Sequence, residues 1–331
     1  MPKTHLIIGA TRGIGLEFTT QLLSQGHIVI ATARSPTNAS NLWALTGTPN
    51  GHNLTILECD VSSEESIRSF TGEVRKLGRR GGVLEKGVLD VVVLNAGVLE
   101  YPGRVGEISF SAFSHHLHTN TIGPLITASH LLSLSSPPAP PSPSPSSSSF
   151  PSSLPPTSPL SPTHPHNPIH TKTLIFISSD SGSTTNFRSF EDGFGAYAAS
   201  KAALNQGLRH LAAEVSRKQN ASSNASSTTS TLPLPQAQTQ NQARPESVQK
   251  TIFLALHPGE VSTDMANVAL DWEVEGIITP EESIKGMLKV IAEKGFGGVD
   301  EGGVRSAREE GRKVEEGEAT FWTWEGKRYP W

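Results

Sequence analysis

The chain has 331 residues, of which 35% are hydrophobic, and a formal net charge of −4 from 27 basic and 31 acidic residues. This balance provides no basic surface for nucleic acid or an anionic membrane. The single cysteine, Cys59, excludes an internal disulfide, and no apolar run is long enough to span a bilayer. Because the first residues lead almost directly into an apolar strand without a leader pattern, we expect a cytoplasmic protein with neither a nucleic-acid nor a membrane partner.

Two segments of low complexity interrupt the chain. Residues 135–168 contain 13 of the 24 prolines together with 12 serines, and residues 216–246 are rich in Ser, Thr, Asn and Gln without apolar periodicity. Neither composition can bury enough apolar surface to fold. We therefore predict one domain over residues 1–331, interrupted by two disordered inserts.

Apolar runs of strand length alternate with helical patterns in the rest of the chain, as in crossover units that feed a parallel sheet. Their near-continuous Val, Ile and Leu content indicates strands covered on both faces. The predicted strands are His5–Gly9, His27–Arg34, Leu54–Cys59, Val88–Asn95, Thr173–Ser179, Thr251–His257 and Ala319–Trp324. This pattern predicts an α/β fold, a doubly wound parallel sheet (Rossmann fold) in a single domain.

Capping residues and apolar spacing mark the helices. Residues 62–65, Ser-Ser-Glu-Glu, predict a capping box ahead of an apolar stripe with spacings of three and four. Residues 279–282, Thr-Pro-Glu-Glu, predict a second helix start with Pro at the first helical position. A helix over Ile14–Ser24, with Gly26 just beyond its end, completes the first crossover unit.

A glycine-rich turn follows the first strand and opens this helix. Residues 9–15 read Gly-Ala-Thr-Arg-Gly-Ile-Gly. Such a turn presents backbone N–H groups and a helix N-terminus to a pyrophosphate, and the glycines let the ligand approach. The spacing differs from G-x-G-x-x-G, and a glycine-rich turn alone is common, so the strand before it and the helix after it carry the prediction of a nucleotide site.

The end of the second strand bears on the choice between NAD and NADP. An acidic residue at this position would hold the ribose 2′-hydroxyl of NAD, whereas an arginine accommodates the 2′-phosphate of NADP. The residue here is Arg34, and Arg12 in the glycine turn adds a second positive charge. We therefore expect NADP(H); the alternative is that both are ordinary surface arginines.

A second motif opens a later helix. Residues 197–201 read Tyr-Ala-Ala-Ser-Lys. Residues four apart share a helix face, so we expect the Lys201 ammonium near the Tyr197 phenol, where it would favour the ionised form. A free tyrosine, with a pKa of about 10, exchanges protons poorly at neutral pH. The pair therefore predicts an acid–base site, although the spacing alone also fits an ordinary helix surface.

Further motifs surround these two in chain order, and together they resemble those of the short-chain dehydrogenase/reductase family, classical type. The matching residues are the glycine turn Gly9–Gly15, Asp60-Val61 after the third strand, Asn95-Ala96-Gly97 after the fourth, Asn120, Ser179 at the end of the fifth, Tyr197 with Lys201, and His257-Pro258-Gly259 after the sixth. The match covers the chain outside the two inserts.

The resemblance implies four catalytic residues. Tyr197 would protonate the substrate oxygen as hydride arrives from a nicotinamide, or remove the proton in the reverse direction. Lys201 would lower the pKa of Tyr197 and hydrogen-bond the nicotinamide ribose. Ser179 would hold and polarise the substrate oxygen, and Asn120 would anchor a water relay toward Lys201. Two donors aimed at one oxygen also suit a transition state in which negative charge develops there.

The resemblance also implies cofactor contacts: Asp60 and Val61 with the adenine, residues 95–97 along the cofactor, and residues 258–263 around the nicotinamide carboxamide. The expected cofactor-binding residues are Gly9, Thr11, Arg12, Gly13, Ile14, Gly15, Arg34, Asp60, Val61, Asn95, Ala96, Gly97, Tyr197, Lys201, Pro258, Gly259, Val261 and Thr263. No metal is expected, because no Cys or carboxylate completes a tetrahedral site beside His115, His116 and His118.

The region between Ser179 and Tyr197 departs from many family members in its length. Ser179 is preferred over Ser178, Ser181 and Ser183 because it is the second serine of the Ser-Ser pair in the family pattern. The aromatic residues within 186–194 either line a substrate pocket or pack the loop. This interval, the helix start at 279–283 and the Trp-rich C-terminal residues are similar to the carbonyl-reductase-like subgroup that includes the sniffer and C-factor proteins.

Three segments are placed by topology. Each insert follows a helix and precedes a strand, so both are expected at the amino ends of the strands, away from the ligand side. Residues 135–168 are either a tolerated insertion or a proline-rich ligand for a partner protein. Residues 264–279, which include Trp272, are expected to cover the substrate as a lid, with a surface loop as the alternative.

The sequence thus predicts an NADPH-dependent reductase of aldehydes or ketones, with a small carbonyl compound or alcohol as its partner. One alternative is an alcohol dehydrogenase that runs in the oxidative direction in a biosynthetic pathway. Another is an NADP-sensing regulator without chemistry, against which the four catalytic residues argue. The oligomeric state is left open, with a symmetric homodimer through the helices that flank the sheet as one arrangement.

Overall fold

The computed structural model describes residues 1–136, 167–227, 250–270, 272–313 and 317–331. Within this part of the chain, seven strands form one parallel sheet. Their apolar residues are buried almost without interruption, as the sequence predicts for strands covered on both faces. The strands are β1 (Thr4–Ile8), β2 (Ile28–Ala33), β3 (Leu54–Glu58), β4 (Val88–Leu94), β5 (His170–Ile177), β6 (Ile252–His257) and β7 (Thr320–Thr323).

The strand order is β3-β2-β1-β4-β5-β6-β7, and every pairing is parallel. The chain therefore runs outward from β1 to one side, returns, and continues on the other side from β4. The order reverses between β1 and β4, and the carboxyl ends of those two strands border the crevice in which ligands of such sheets bind. The predicted doubly wound fold is confirmed.

The helices follow the strands and cover both faces of the sheet. They are α1 (Gly13–Ser24), α2 (Ser40–Thr46), α3 (Glu64–Leu77), α4 (Phe110–Leu117), α5 (Gly123–Leu132), α6 (Gly195–Ser227), α7 (Pro280–Lys294) and α8 (Val304–Glu309). One apolar layer lies under α1, α2 and α7, and the other under α3, α5 and α6. No helix in the described ranges is both long enough and apolar enough to span a bilayer.

The predicted helix starts are found, one with a small shift. Thr279 caps α7, its side chain accepting a hydrogen bond from the backbone N–H of Glu282, with Pro280 at the first helical position. In α3 the capping residue is Ser63, one residue later than the box beginning at Ser62 places it. The third helical residue is consequently Ser66, whose N–H binds the Ser63 hydroxyl.

The two predicted inserts fall largely on residues outside the described ranges, 137–166 and 228–249. One boundary differs: α6 continues to Ser227, so the first twelve residues of the segment predicted as disordered from 216 are helical. The described ends of both connections, α5 to β5 and α6 to β6, lead to the amino ends of strands.

Candidate active site

The glycine turn lies at the carboxyl end of β1, and its tight packing requires glycine at two positions. Gly9 has a φ of +83°, and a Cβ there would lie 2.8 Å from Ala96. A Cβ on Gly15 would lie 2.1 Å from the Gly9 carbonyl oxygen and 2.6 Å from the Asn95 side-chain nitrogen. Backbone therefore meets backbone in this turn, and the N-terminus of α1 is left facing the crevice.

Side chains from two neighbouring strands hold the turn in place. The Gly9 N–H donates to the Thr32 hydroxyl (3.0 Å), and the Asn95 side-chain N–H donates to the Gly9 carbonyl (2.7 Å). The Ala10 N–H donates to the Thr32 carbonyl (2.9 Å). Asn95, expected to line the cofactor, thus shapes the glycine turn. Thr32 was not predicted from the sequence. Its position on β2, two residues before Arg34, could have indicated it.

The two arginines predicted to select NADP both lie at the carboxyl end of the sheet. Arg34 is exposed just beyond the end of β2, and Arg12 immediately precedes α1. Arg12 forms a 3.5 Å ion pair with Asp264, and both side chains are largely exposed. Because β1 and β2 are adjacent, the two arginines follow the carboxyl ends of neighbouring strands.

The remaining predicted cofactor segments close the crevice from other strands. The Asp60 carboxylate accepts hydrogen bonds from the backbone N–H and hydroxyl of Ser62, so it stabilises the turn after β3. In the segment after β6, the Pro258 carbonyl accepts from the Ser283 hydroxyl (2.6 Å). Thr263 lies opposite the glycine turn, with its methyl 3.3 Å from where a Cβ on Gly13 would stand.

Asn120 occupies a single turn of π-helix, His118–Ile122, between α4 and α5. Its side-chain oxygen accepts from the Val98 N–H (2.7 Å), and its nitrogen donates to the Val98 carbonyl and the Ser200 hydroxyl. A Cβ on Gly97 would lie 3.3 Å from the Asn120 oxygen and 3.7 Å from the Lys201 ammonium. The structure thus brings these predicted residues together, and the π-turn is a common device at functional sites.

Tyr197 and Lys201 lie on one face of α6, with the ammonium 5.6 Å from the phenol ring centre. Lys201 is buried and donates to the Ile177 carbonyl (2.9 Å), and burial lowers its pKa to about 8. Burial raises the pKa of Tyr197 to about 12, opposed by a hydrogen bond with Ser179 and reinforced by the charges of Glu260 and Glu191. The sequence predicts a lowered pKa for this phenol; the net shift here is upward because burial dominates, so Tyr197 carries its proton at neutral pH.

Among the neighbouring serines, Ser179 is the one whose hydrogen bond affects Tyr197. Its hydroxyl donates to the Asp180 carboxylate (3.0 Å) and accepts from the Ser181 N–H (3.2 Å). Ser178 instead donates to Asn205 (2.6 Å), and the Ser183 hydroxyl accepts from the Asn186 N–H. The geometry therefore supports Ser179 over its neighbours.

The loop between Ser179 and α6 contains a group of charges that the sequence reasoning missed. Arg188 forms ion pairs with Asp180, with Glu191 at 2.8 Å and with Glu260 at 3.7 Å. His257 lies 3.7 Å from Asp180, and burial lowers its pKa to about 4, so it is neutral at pH 7. Asp180 could have indicated this group of charges in the sequence, because it is a charged residue directly after the serine that ends a predicted strand.

Aromatic residues surround Tyr197 on its other side. Phe194 packs edge-on to Tyr197 (6.3 Å between ring centres) and contacts Tyr101 (5.4 Å) and Trp272 (5.9 Å). The other aromatic residues of the loop point outward: Phe187 is 84% exposed and Phe190 is 58% exposed. Of the aromatic residues in this loop, Phe194 therefore contacts Tyr197, and Trp272 of the expected lid reaches the same cluster.

Comparisons with known proteins indicate an oxidoreductase family. A family model described as short chain dehydrogenase matches residues 3–135. An uncharacterised oxidoreductase of Schizosaccharomyces pombe is 26% identical over 303 residues, covering 87% of this chain and 90% of the relative. The family model and the relatives that cover most of the chain support a member of the short-chain dehydrogenase/reductase family. It is therefore an oxidoreductase of the short-chain dehydrogenase type.

Two solved carbonyl reductases share the fold of this protein. An NADPH-bound carbonyl reductase from chicken fatty liver superposes with a TM-score of 0.64 at 24% identity, covering 100% of this chain and 99% of the other. The carbonyl reductase Sniffer of Drosophila melanogaster superposes with a TM-score of 0.62 at 19% identity, with full coverage of both chains. At these identities the likeness concerns the fold.

Proposed function

We propose that this protein is an NADPH-dependent reductase of aldehydes or ketones. The observation that carries the proposal is the placement of Tyr197 beside Lys201 on one face of α6, with Asn120 next to Lys201 and with Ser179 acting on the phenol. Two hydroxyl groups near one point of the crevice fit a substrate oxygen that gains negative charge.

The residues of the crevice fit an NADP cofactor. Gly9 and Gly15 let the glycine turn pack backbone against backbone, and the N-terminus of α1 follows directly at Gly13. Arg12 and Arg34 supply two guanidinium groups that can pair with a phosphate, and no carboxylate ends β2. The NADPH-bound chicken carbonyl reductase, which shares the fold, supports this choice. When bound, NADPH supplies the hydride.

The protein's own residues would manage the proton and the charge. Tyr197 gives its proton to the substrate oxygen, and Ser179 donates a hydrogen bond to the same atom. The buried ammonium of Lys201 stabilises the phenolate that remains, because two opposite charges in a desolvated site attract strongly. Asn120, fixed by Val98 and Ser200, lies close enough to Lys201 to hold a water that returns the proton.

The aromatic cluster indicates the kind of substrate. Phe194 and Tyr101 line the approach to Tyr197, and Trp272 reaches them from the segment after β6. Such a surface favours an uncharged, apolar carbonyl compound. The likeness of the fold to the chicken and Drosophila carbonyl reductases supports the same substrate class.

Oxidation of an alcohol by the same residues is the second candidate, since Tyr197 would then accept the proton. The NADPH-bound carbonyl reductase that shares the fold favours the reductive direction. A regulator that only senses NADP has no need for the Tyr197, Lys201 and Ser179 arrangement.

The test follows NADPH oxidation by absorbance with a panel of aliphatic and aromatic aldehydes and ketones. We expect turnover with at least one apolar member, and the Tyr197→Phe enzyme should lose about 10²- to 10⁴-fold in kcat. Its NADPH affinity, measured by fluorescence titration, should stay within about twofold of the wild type, because the ring and its packing are kept.

The controls separate the candidates. Binding of NADPH without turnover of any carbonyl or alcohol would favour the sensor. Turnover of alcohols with NADP⁺, without turnover of any carbonyl with NADPH, would favour the dehydrogenase. Full activity in Tyr197→Phe would contradict the assignment of the proton donor.

A further inference from the structure

The Ser179 hydroxyl has one hydrogen and two acceptors that compete for it. In the structure it donates to the Asp180 carboxylate at 3.0 Å. The proposed reaction requires the same hydrogen at the substrate oxygen, on the side of Tyr197. An ionised carboxylate is a strong acceptor and would hold the hydroxyl away from the substrate.

Asp180 is buried, and in the described residues its counter-charge is Arg188. The side chain of Asp180 is 8% exposed, and Arg188 pairs with its second oxygen. The backbone N–H of Ser181 donates to the first oxygen at 2.8 Å, the same atom that accepts from Ser179. His257 is close but neutral, so it does not balance the carboxylate.

Arg188 itself is fixed by residues of its own loop and by one residue of the segment after β6. Glu191 pairs with it at 2.8 Å and is 10% exposed, and Glu260, in the segment after β6, lies at 3.7 Å. The guanidinium also lies over the Phe190 ring, 5.0 Å from its centre. These contacts hold the positive charge beside Asp180.

We propose that Asp180 and Arg188 are positioning residues for the proposed reduction: Arg188 neutralises Asp180 so that the Ser179 hydroxyl is free to turn from the carboxylate to the substrate oxygen. The inference rests on the function proposed above. Asp180 holds the serine in place between turnovers, and Arg188 limits how strongly it does so.

The test is a double-mutant cycle on kcat with NADPH and the best carbonyl substrate. Arg188→Gln leaves the Asp180 charge unbalanced, so the hydrogen bond from Ser179 to Asp180 becomes stronger in the ground state. We expect kcat to fall about tenfold or more, the effect of one hydrogen bond to a charged group. The KM for NADPH should stay within about twofold. Adding Asp180→Asn to Arg188→Gln should return kcat to within about threefold of the wild type, because the competing charge is gone.

A structural role alone would give a different pattern. An Arg188→Gln enzyme with wild-type kcat, or a double variant no faster than Arg188→Gln, would overturn the proposal. If Arg188→Gln does not fold, Asp180→Asn is compared with Asp180→Asn/Arg188→Gln. Equal kcat values are then expected, and a difference of more than about fivefold would contradict it.

Arg104→Gln is the matched control. Arg104 also pairs with an aspartate of this loop, Asp192, at 2.9 Å, but it does not touch Ser179, and Asp192 is exposed. Its kcat should stay within about twofold of the wild type, as for a surface ion pair. A loss equal to that of Arg188→Gln would show that loop mobility, and not Ser179, explains the effect.

A readout without turnover separates this proposal from the function it rests on. A crystal structure of Arg188→Gln at about 1.2 Å resolution should show the Ser179 oxygen closer to Asp180 than 3.0 Å and farther from the Tyr197 oxygen. Unchanged distances would overturn the pair's role even if no carbonyl is reduced. Wild-type turnover with unchanged distances would count against the pair alone.

Discussion

Buried polar side chains at the two ends of the parallel strands differ in their partners. At the carboxyl edge, Lys201, Asp180 and Asn120 have partners that hold them in a defined direction. At the amino edge, His5 on β1 is 5% exposed, and its Nε2 has no hydrogen-bond partner in the described part of the chain.

This contrast separates residues expected to serve catalysis from a residue expected to affect only stability. Groups at the carboxyl edge are aimed at the crevice, and their burial shifts the pKa of both members of the Tyr197 and Lys201 pair. His5 merely loses its ability to ionise. Substitutions at the carboxyl edge should therefore change activity more than stability, and substitutions at the amino edge should do the reverse.

Replacement of Lys201 should give the largest effect on activity. Its pKa of about 8 means that its charge is present below pH 8 and lost above it. In the wild type, kcat/KM for carbonyl reduction should be level up to about pH 8 and then decline. Lys201→Met should reduce kcat/KM by about 10²- to 10⁴-fold and remove the decline near pH 8. A pH profile in which both enzymes decline alike would assign that ionisation to another group.

Replacement of Arg34 should have a smaller effect, confined to one cofactor. Arg34→Ala should raise the KM for NADPH about 10- to 100-fold, the size of a hydrogen bond to a charged group, and leave the KM for NADH within about twofold. Arg68→Ala, which breaks the exposed pair with Glu64 on α3, is the control and should change neither constant. Equal losses with both cofactors would show that Arg34 does not read the 2′-phosphate.

Replacement of His5 should leave activity within about twofold and change stability instead. Burial lowers its pKa to about 3, so between pH 6.5 and pH 3 the unfolded chain binds a proton that the folded chain does not. The free energy of unfolding therefore falls as the pH falls through this range. In His5→Leu this loss between pH 7 and pH 4 should be smaller by about 2–3 kcal/mol, measured by denaturant unfolding.

His257 provides the internal comparison, because its pKa is lowered to about 4 at the opposite edge and contributes to the same acid sensitivity. The His5→Leu protein should keep that contribution. An unchanged pH dependence in His5→Leu would mean that His5 is not the buried neutral group described here.

Much of the fold follows from the sequence because its signals are local. The seven strands were predicted within a few residues, since each is a run of apolar residues bounded by turns. Thr279 and Pro280 start α7 where the sequence places it. The box before α3 was shifted by one residue because the turn also engages Asp60 and Ser66, a contact that no pattern shows.

The site was predicted in part. Residues within short motifs, such as Tyr197 and Lys201, were found from spacing, and their facing arrangement is seen. The roles of Thr32 and Arg188 were not found, because their partners lie on other elements. The end of the helix after Lys201 was also placed too early, since polar residues of α6 continue the helix without an apolar stripe.

The sequence by itself determined the parallel sheet, the glycine turn and the order of the catalytic motifs, because each depends on neighbouring residues along the chain. Only the tertiary structure decided which charges stand beside those motifs. Glu260, in the segment after β6, joins Asp180 and Arg188 of the loop before α6. Burial and the charges of Glu260 and Glu191 raise the pKa of Tyr197, and Asp180 is the partner of Ser179. Electrostatic effects act through space and depend on burial, so they appear only when the chain is folded.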